Sequence, residues 1–411
     1  MLRKIIFAIL SALLVQVGAM AQQTIAFTNL SYNNLLARAK KENKLAMIYF
    51  TGTGCSLCIE MEKHVFTSEA INRFYNKNFI SLESFDDAYK PDSATKKLRR
   101  HFGVISNPTF IFIDEDGKIV HKSGYQTAEN FLKVGKQAVS PDDNYRGWSK
   151  RINEGKLDTE TVSKFLSFEQ SPYLYSASEY HCKAQEVLEH YFASVPQDDY
   201  SNAANWKIIN NYVYNPYSGI FNYLLKNEAV FEKKYGKKAV TKKIYEVFYD
   251  AWSGNMGSEA YKKAERFVRN ETNPMARVLV QYHEMNPAGE HLMKESHADW
   301  QPFLQTYDNT VGQYAYVINP YFIYNIAKSV CEQEPANVEN IKIVNDWMKE
   351  MLKEKDREDY DYFDVYAKTH FLLGNKKEAI ALEEKAIQLA IDAKADQEDL
   401  EALRKNLAAY Q

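Results

Sequence analysis

The sequence predicts a small α/β sandwich followed by an all-helical region, and three observations carry that expectation. The first is an apolar run, Leu45-Ala46-Met47-Ile48-Tyr49-Phe50, which reads as a buried strand and ends at Gly52 and Gly54, where a helical pattern begins. The second is that strand and helix signals alternate only in the front part of the chain. The third is that beyond Pro141 apolar and aromatic residues recur at helical spacing between short turns, and all five tryptophans of the 411 residues lie there.

The chain opens with Arg3 and Lys4, an apolar run from Ile5 to Val17, and Ala19-Met20-Ala21 before Gln22, the pattern of a cleaved export signal over residues 1–21. The run is shorter than the about 20 apolar residues that a spanning helix needs. No cysteine follows the cleavage site, so no lipid anchor is expected, and the expected location is the periplasm. An exported chain meets an oxidising compartment, yet this one has only four cysteines, Cys55, Cys58, Cys182 and Cys331. That is too few for a disulfide-stapled scaffold, and a chain of this length buries a core without staples. Cys182 and Cys331 read as buried thiols or as one ordinary disulfide. Acidic and basic residues nearly balance, with a net charge of -3 and no long basic run, which argues against a nucleic-acid partner.

In order along the front, Tyr32 to Lys41 places Leu35, Leu36 and Ala39 at helical spacing. After the first strand, Cys58, Met61, Val65 and Phe66 keep that spacing, and Thr67 or Ser68 is expected to cap a second segment holding Ile71, Phe74 and Tyr75. Phe79 to Leu82 is a second strand, Ala94 to Phe102 a strongly positive helix, and Thr109 to Ile113 a third strand. Asp114 to Gly117 turns the chain into a returning strand from Lys118 to Lys122, and Thr127 caps a closing helix through Val139. The front domain is expected over 24–140, with a linker over 141–150.

Cys55-Ser56-Leu57-Cys58 sits where the strand hands over to the helix. Two thiols at that spacing close a small disulfide ring, and a helix N-terminus stabilises the thiolate of the first. Redox exchange is therefore the leading reading. Cys-x-x-Cys is also half of a zinc site, but the other half should be a second nearby Cys or His pair, and neither His181-Cys182 nor Cys331 has that spacing. No metal site is expected, although thiol-based metal delivery stays open.

Taken together, strand, Cys-x-x-Cys, helix, strand, helix, Pro-Thr strand and hairpin resemble a thioredoxin fold. Gly54 to Phe66 resembles the C-terminal thioredoxin-like domain of the membrane thiol:disulfide interchange protein DsbD, and Phe102-Gly103-Val104-Ile105-Ser106-Asn107-Pro108-Thr109 matches that family's segment leading to the cis-proline loop. The resemblance implies that Cys55 is the attacking and Cys58 the resolving cysteine. It implies that Asn107, Pro108 and Thr109 shape a groove for a protein disulfide substrate. It also implies no cofactor beyond the redox-active disulfide, with reducing equivalents from a membrane donor; no nicotinamide or flavin fingerprint is present. Two positions depart from the family: Gly54 replaces the usual tryptophan, and Tyr49 replaces a buried aspartate that helps deprotonate the resolving thiol. Glu60 and Glu62 are the remaining candidates for a proton acceptor, although an acidic pair on a helix is also simply a solvated face. Ser56-Leu57 does not set the direction of electron flow; the resemblance tilts it toward disulfide reduction.

Behind the linker, Phe165 to Glu169, Tyr180 to Phe192, Trp206 to Tyr214, Ile220 to Tyr235, Lys242 to Trp252 and Ala260 to Arg269 all show helical spacing, punctuated by Pro274 and Pro287. This gives a helical domain over 151–320. Over 321–411, Tyr324-Asn325-Ile326-Ala327 and Val365-Tyr366-Ala367 begin similar helix pairs, at about the 34 to 40 residues of helical-hairpin repeats. The second unit resembles a degenerate tetratricopeptide repeat, with Ala367, Gly374, Ala379 and Ala386 where helices approach closely and Glu383 where the family prefers a large apolar residue. Such repeats stack into a surface for protein partners; the alternative is a helical body that supports the front domain or mediates self-association. The sequence thus predicts an exported thiol:disulfide oxidoreductase, of protein-disulfide reductase type, with a partner-binding helical extension. Its rival is a non-enzymatic adaptor in which the repeats carry the function.

Overall fold

The computed structural model describes residues 24–90, 92–169, 179–253, 257–295 and 298–411, so the expected export signal at 1–21 lies outside the described residues, as does the Cys182 side chain. Two compact units meet in the chain between Val213 and Tyr214.

The first unit is built on a five-stranded sheet in the order β1-β3-β2-β4-β5. Its strands are β1 (Phe27–Thr28), β2 (Leu45–Gly52), β3 (Phe79–Asp86), β4 (Thr109–Ile113) and β5 (Ile119–Ser123). β1 and β2 flank β3 in parallel, while β4 runs antiparallel to both β2 and β5. Between the strands lie α1 (Tyr32–Glu42), α2 (Ser56–Glu60), α3 (Glu69–Asn78), α4 (Ser93–Phe102) and α5 (Ala128–Val139). β2 reads as an unbroken apolar run because helices cover both of its faces. Met47 and Tyr49 point into one core with Met61, Phe66, Tyr75 and Phe131, whereas Ala46, Ile48 and Phe50 point into the other with Leu35, Ala39 and Phe102. Each such fully buried large side chain contributes roughly 1.5–3 kcal/mol.

β3 reaches Asp86, four residues past the predicted Leu82, because its later residues still pair with Tyr49 to Gly52 of β2. Residues 145–150, expected in a linker, belong instead to a helix, Tyr145–Asn153, whose N-terminus is capped by Asn144 Oδ1 accepting from the Gly147 N–H at 2.9 Å. The apolar payload explains it: Trp148 is buried and sets its ring edge-on to His121 of β5, with centroids 5.5 Å apart. Helices Thr159–Glu169, Glu179–Ser194 and Ala203–Tyr212 complete the unit.

The second unit is helical throughout its described residues. The expected helix from Ile220 to Tyr235 is two, Gly219–Lys226 and Glu228–Tyr235, divided at Asn227, whose side-chain amide donates to the Tyr223 carbonyl at 2.9 Å. Pro274 begins a helix, but Pro287 does not end one. The helix Pro274–Leu292 runs through it, held on both sides by buried Met285 and Gly289. Near the C-terminus Tyr360–Leu372 and Lys376–Asp392 form a helical hairpin that turns at Gly374, in the left-handed region at φ 79°, and Gln397–Tyr410 packs against it. Ala367, Ala379 and Ala386 are fully buried there. Cys331 is a free buried thiol whose pKa burial pushes up to about 12.

Candidate active site

The strand-to-helix junction is built from backbone requirements. Gly54 takes φ 77°, which a side chain rarely tolerates, and turns the chain so that Cys55 becomes the residue capping α2. The Cys58 backbone N–H donates to Cys55 Sγ at 3.1 Å, the interaction that favours negative charge on that sulfur once the ring is open. Cys55 and Cys58 form a disulfide with Cα atoms 5.2 Å apart. Cys55 is half-buried, whereas Cys58 is only 2% exposed. One sulfur is open to a partner and the other is sheltered. Directly after α2 the helix widens into a single π-helical turn, Met61–Val65, a feature found often at functional sites.

A second loop of the site comes from the N-terminal end of β4. The Asn107–Pro108 peptide bond is cis, and Thr109, fully buried, pairs with Phe50 and donates its hydroxyl to the Ser106 carbonyl at 2.8 Å. Asn107 lies against Gly52, three residues before Cys55: a Cβ on Gly52 would stand 2.9 Å from Asn107 Nδ2 and 2.8 Å from the Asp86 carbonyl oxygen. The predicted residues Cys55, Cys58, Asn107, Pro108 and Thr109 are thus carried by two segments that meet at the end of β2.

The two candidate proton acceptors part company. Glu60 is exposed and reaches His64 on the solvent face, with 3.6 Å between Oε2 and Nε2. Glu62 instead accepts a hydrogen bond from the hydroxyl of buried Tyr49 at 3.1 Å. Burial raises the Tyr49 pKa far above that of an ordinary phenol, so Tyr49 is a donor and not a base. Glu83 of β3 has a raised pKa from burial and from the neighbouring charge of Glu62.

Sequence reasoning missed Arg99. It read α4 only as a strongly positive helix, yet Arg99 follows buried Thr95 by four residues and precedes buried Phe102 by three. A cation on the buried stripe was the available signal.

Comparison with known proteins agrees with this architecture. Residues 32–138 match the family described as thioredoxin-like domain. The disulfide bond reductase DsbH of Chlamydia pneumoniae is 27% identical over 130 residues, 29% of this chain and 78% of that protein. The thiol:disulfide interchange protein DsbD of Actinobacillus pleuropneumoniae serotype 5b is 28% identical over 95 residues, 22% of this chain and only 16% of that protein. Among solved structures, a DsbH oxidoreductase is 23% identical and covers 29% of this chain and 90% of its own, with a TM-score of 0.26. Residues 32–138 are a thioredoxin-like domain with homology to DsbH and DsbD, and a helical region follows it in the chain.

Proposed function

We propose that this chain is an exported, periplasmic thiol–disulfide oxidoreductase that reduces disulfides of protein substrates. The observation that carries the reading is the pairing of a half-exposed Cys55 with a sheltered Cys58 at a helix start, with Asn107 of a cis-proline loop against Gly52 on the strand end that leads to them. Exposed Leu57, Ile59 and Ile105 on the same segments suit a polypeptide substrate.

In the reduced protein the Cys55 thiolate attacks one sulfur of the partner's disulfide. A mixed disulfide forms and one partner thiolate leaves and takes up a proton. Cys58 then loses its proton, through water, to Glu62 and attacks Cys55 Sγ. The ring closes and the second partner thiolate is expelled. Two electrons have passed from the dithiol to the partner, and a thiol donor, for which a membrane protein is proposed, restores the dithiol. Asn107, Pro108 and Thr109 hold the partner's chain. The redox-active disulfide is the only prosthetic chemistry this scheme requires. The helical region, read as tetratricopeptide-like repeats, binds the partner protein.

The test is the reduction potential of the Cys55–Cys58 couple in the full mature chain carrying Cys182→Ser and Cys331→Ser, equilibrated with glutathione and read by thiol-counting mass spectrometry. A value near about -270 mV supports a reductase, and one near about -120 mV makes the protein an oxidant. A pair that never cycles transfers the function to the helical surface and makes the front domain an adaptor.

A further inference from the structure

We infer that Arg99 is a positioning residue for the substrate groove: it clamps the cis-proline loop to the end of β3 across the end of β2, and acts on the partner through Asn107. This inference rests on reading the site as one of thiol–disulfide exchange. The Arg99 side chain is 14% exposed, and its Nη1 donates to Asn107 Oδ1 at 2.8 Å. Its Nε faces Asp86 Oδ2 at 3.7 Å, and the guanidinium lies over the Phe50 ring at 6.0 Å. Asp86 is at once the residue paired with Gly52 and the one whose carbonyl accepts the Thr53 N–H at 3.1 Å. One planar cation therefore ties together the strand end that carries Asp86, the loop that carries Asn107, and, through Asp86, the turn that leads to Cys55.

The chemistry requires an arginine. Its planar guanidinium donates to Asn107 Oδ1 from one end while the other stays within ion-pair range of Asp86, a span that the single point charge of lysine does not reproduce. With Nη1 holding Oδ1, the Asn107 amide nitrogen is turned onto Gly52, in space that no side chain occupies. Asn107 is thereby fixed from both sides. The groove next to Pro108 is set before a partner arrives, so no ordering of that loop is subtracted from affinity.

The experiment compares the full chain with Arg99→Ala, Arg99→Lys, Asn107→Ala and the Arg99→Ala/Asn107→Ala double variant in reduction of a disulfide-bonded peptide. Arg99→Ala is expected to raise KM about tenfold, the effect of one lost charge-assisted hydrogen bond, while kcat changes less than about twofold. Arg99→Lys, which keeps the charge and the thermal stability, is expected to raise KM severalfold. The double variant is expected to be no worse than the worse single variant, since both break one link. The potential of the Cys55–Cys58 couple is expected to stay at the wild-type value. Effects of Arg99→Ala and Asn107→Ala that add, or an unchanged KM in both Arg99 variants while wild type turns over, overturn the inference and leave the exchange reading standing. A wild-type protein that reduces nothing removes both.

Discussion

Tyr49 donates its hydroxyl to Glu62 Oε1 at 3.1 Å, linking the middle of the central strand to the π-helical turn that follows the cysteines. The ring itself lies parallel to Phe110, with centroids 4.8 Å apart, in the core that also holds Cys58. A buried phenol thus occupies the strand position that the family resemblance gives to an aspartate, and its hydroxyl is bound to a carboxylate of the following helical turn.

Glu62→Gln is expected to slow peptide reduction about a hundredfold near neutral pH if Glu62 accepts the Cys58 proton, within the range that general base catalysis contributes. Tyr49→Phe keeps the base and is expected to change turnover by no more than about threefold, while lowering stability by about 1 kcal/mol for the lost hydrogen bond. Stopped-flow turnover together with urea unfolding separates the two effects.

Gly52→Ala is expected to destabilise the front unit by about 1–3 kcal/mol, because the added methyl must displace the Asp86 carbonyl or the Asn107 amide. Thermal unfolding checks it. A wild-type midpoint would show that the β2 end has slack the geometry denies.

His121 of β5 is buried against Trp148 and Phe168, and its Nδ1 has no hydrogen-bond partner among the described residues. Burial lowers its pKa from 6.5 to about 4, aided by Lys122 and opposed by Asp143. Below pH 6.5 the unfolded imidazole takes a proton that the native one refuses. Stability is therefore full above pH 6.5 and falls by roughly 1.4 kcal/mol per pH unit toward pH 4. His121→Phe should abolish that slope in unfolding curves recorded across this window.

Glu383 is fully buried in the C-terminal hairpin beside Asp364, and burial, reinforced by Asp364, raises its pKa from 4.5 to about 9. Here the sign reverses. The native carboxyl keeps its proton while the unfolded one ionises, so stability is full below pH 4.5 and declines as pH rises toward 9, again by roughly 1.4 kcal/mol per unit. Glu383→Gln is expected to remove the decline and to exceed wild type in stability at pH 8, as measured by urea unfolding. A variant less stable than wild type at pH 8 would sink this account.

Much of the front unit could be read from the sequence because its signals are local. An apolar run on β2, glycines before Cys55, and helix starts at Ser68 and Thr127, where the expected side-chain cap bonds do not form, each depend on a few neighbouring residues. Element ends were less legible. β3 continues to Asp86 and 145–150 is helical because of partners distant in sequence, β2 in one case and His121 and Phe168 in the other. The helix through Pro287 likewise persists because buried flanking residues outweigh one missing donor.

For the site, the sequence by itself determined the chemistry: a Cys-x-x-Cys at a strand-to-helix turn and a Pro-Thr strand far along the chain. Tertiary structure alone decided which side chains stand near it. It set Glu62 on the Tyr49 hydroxyl and Glu60 beside His64, both at the surface, and it turned Arg99, one cation among several on α4, inward between Asp86 and Asn107. Thiol chemistry is written in residue type and spacing. A carboxylate or guanidinium acquires its role only from the distances and burial that folding imposes between segments far apart in sequence.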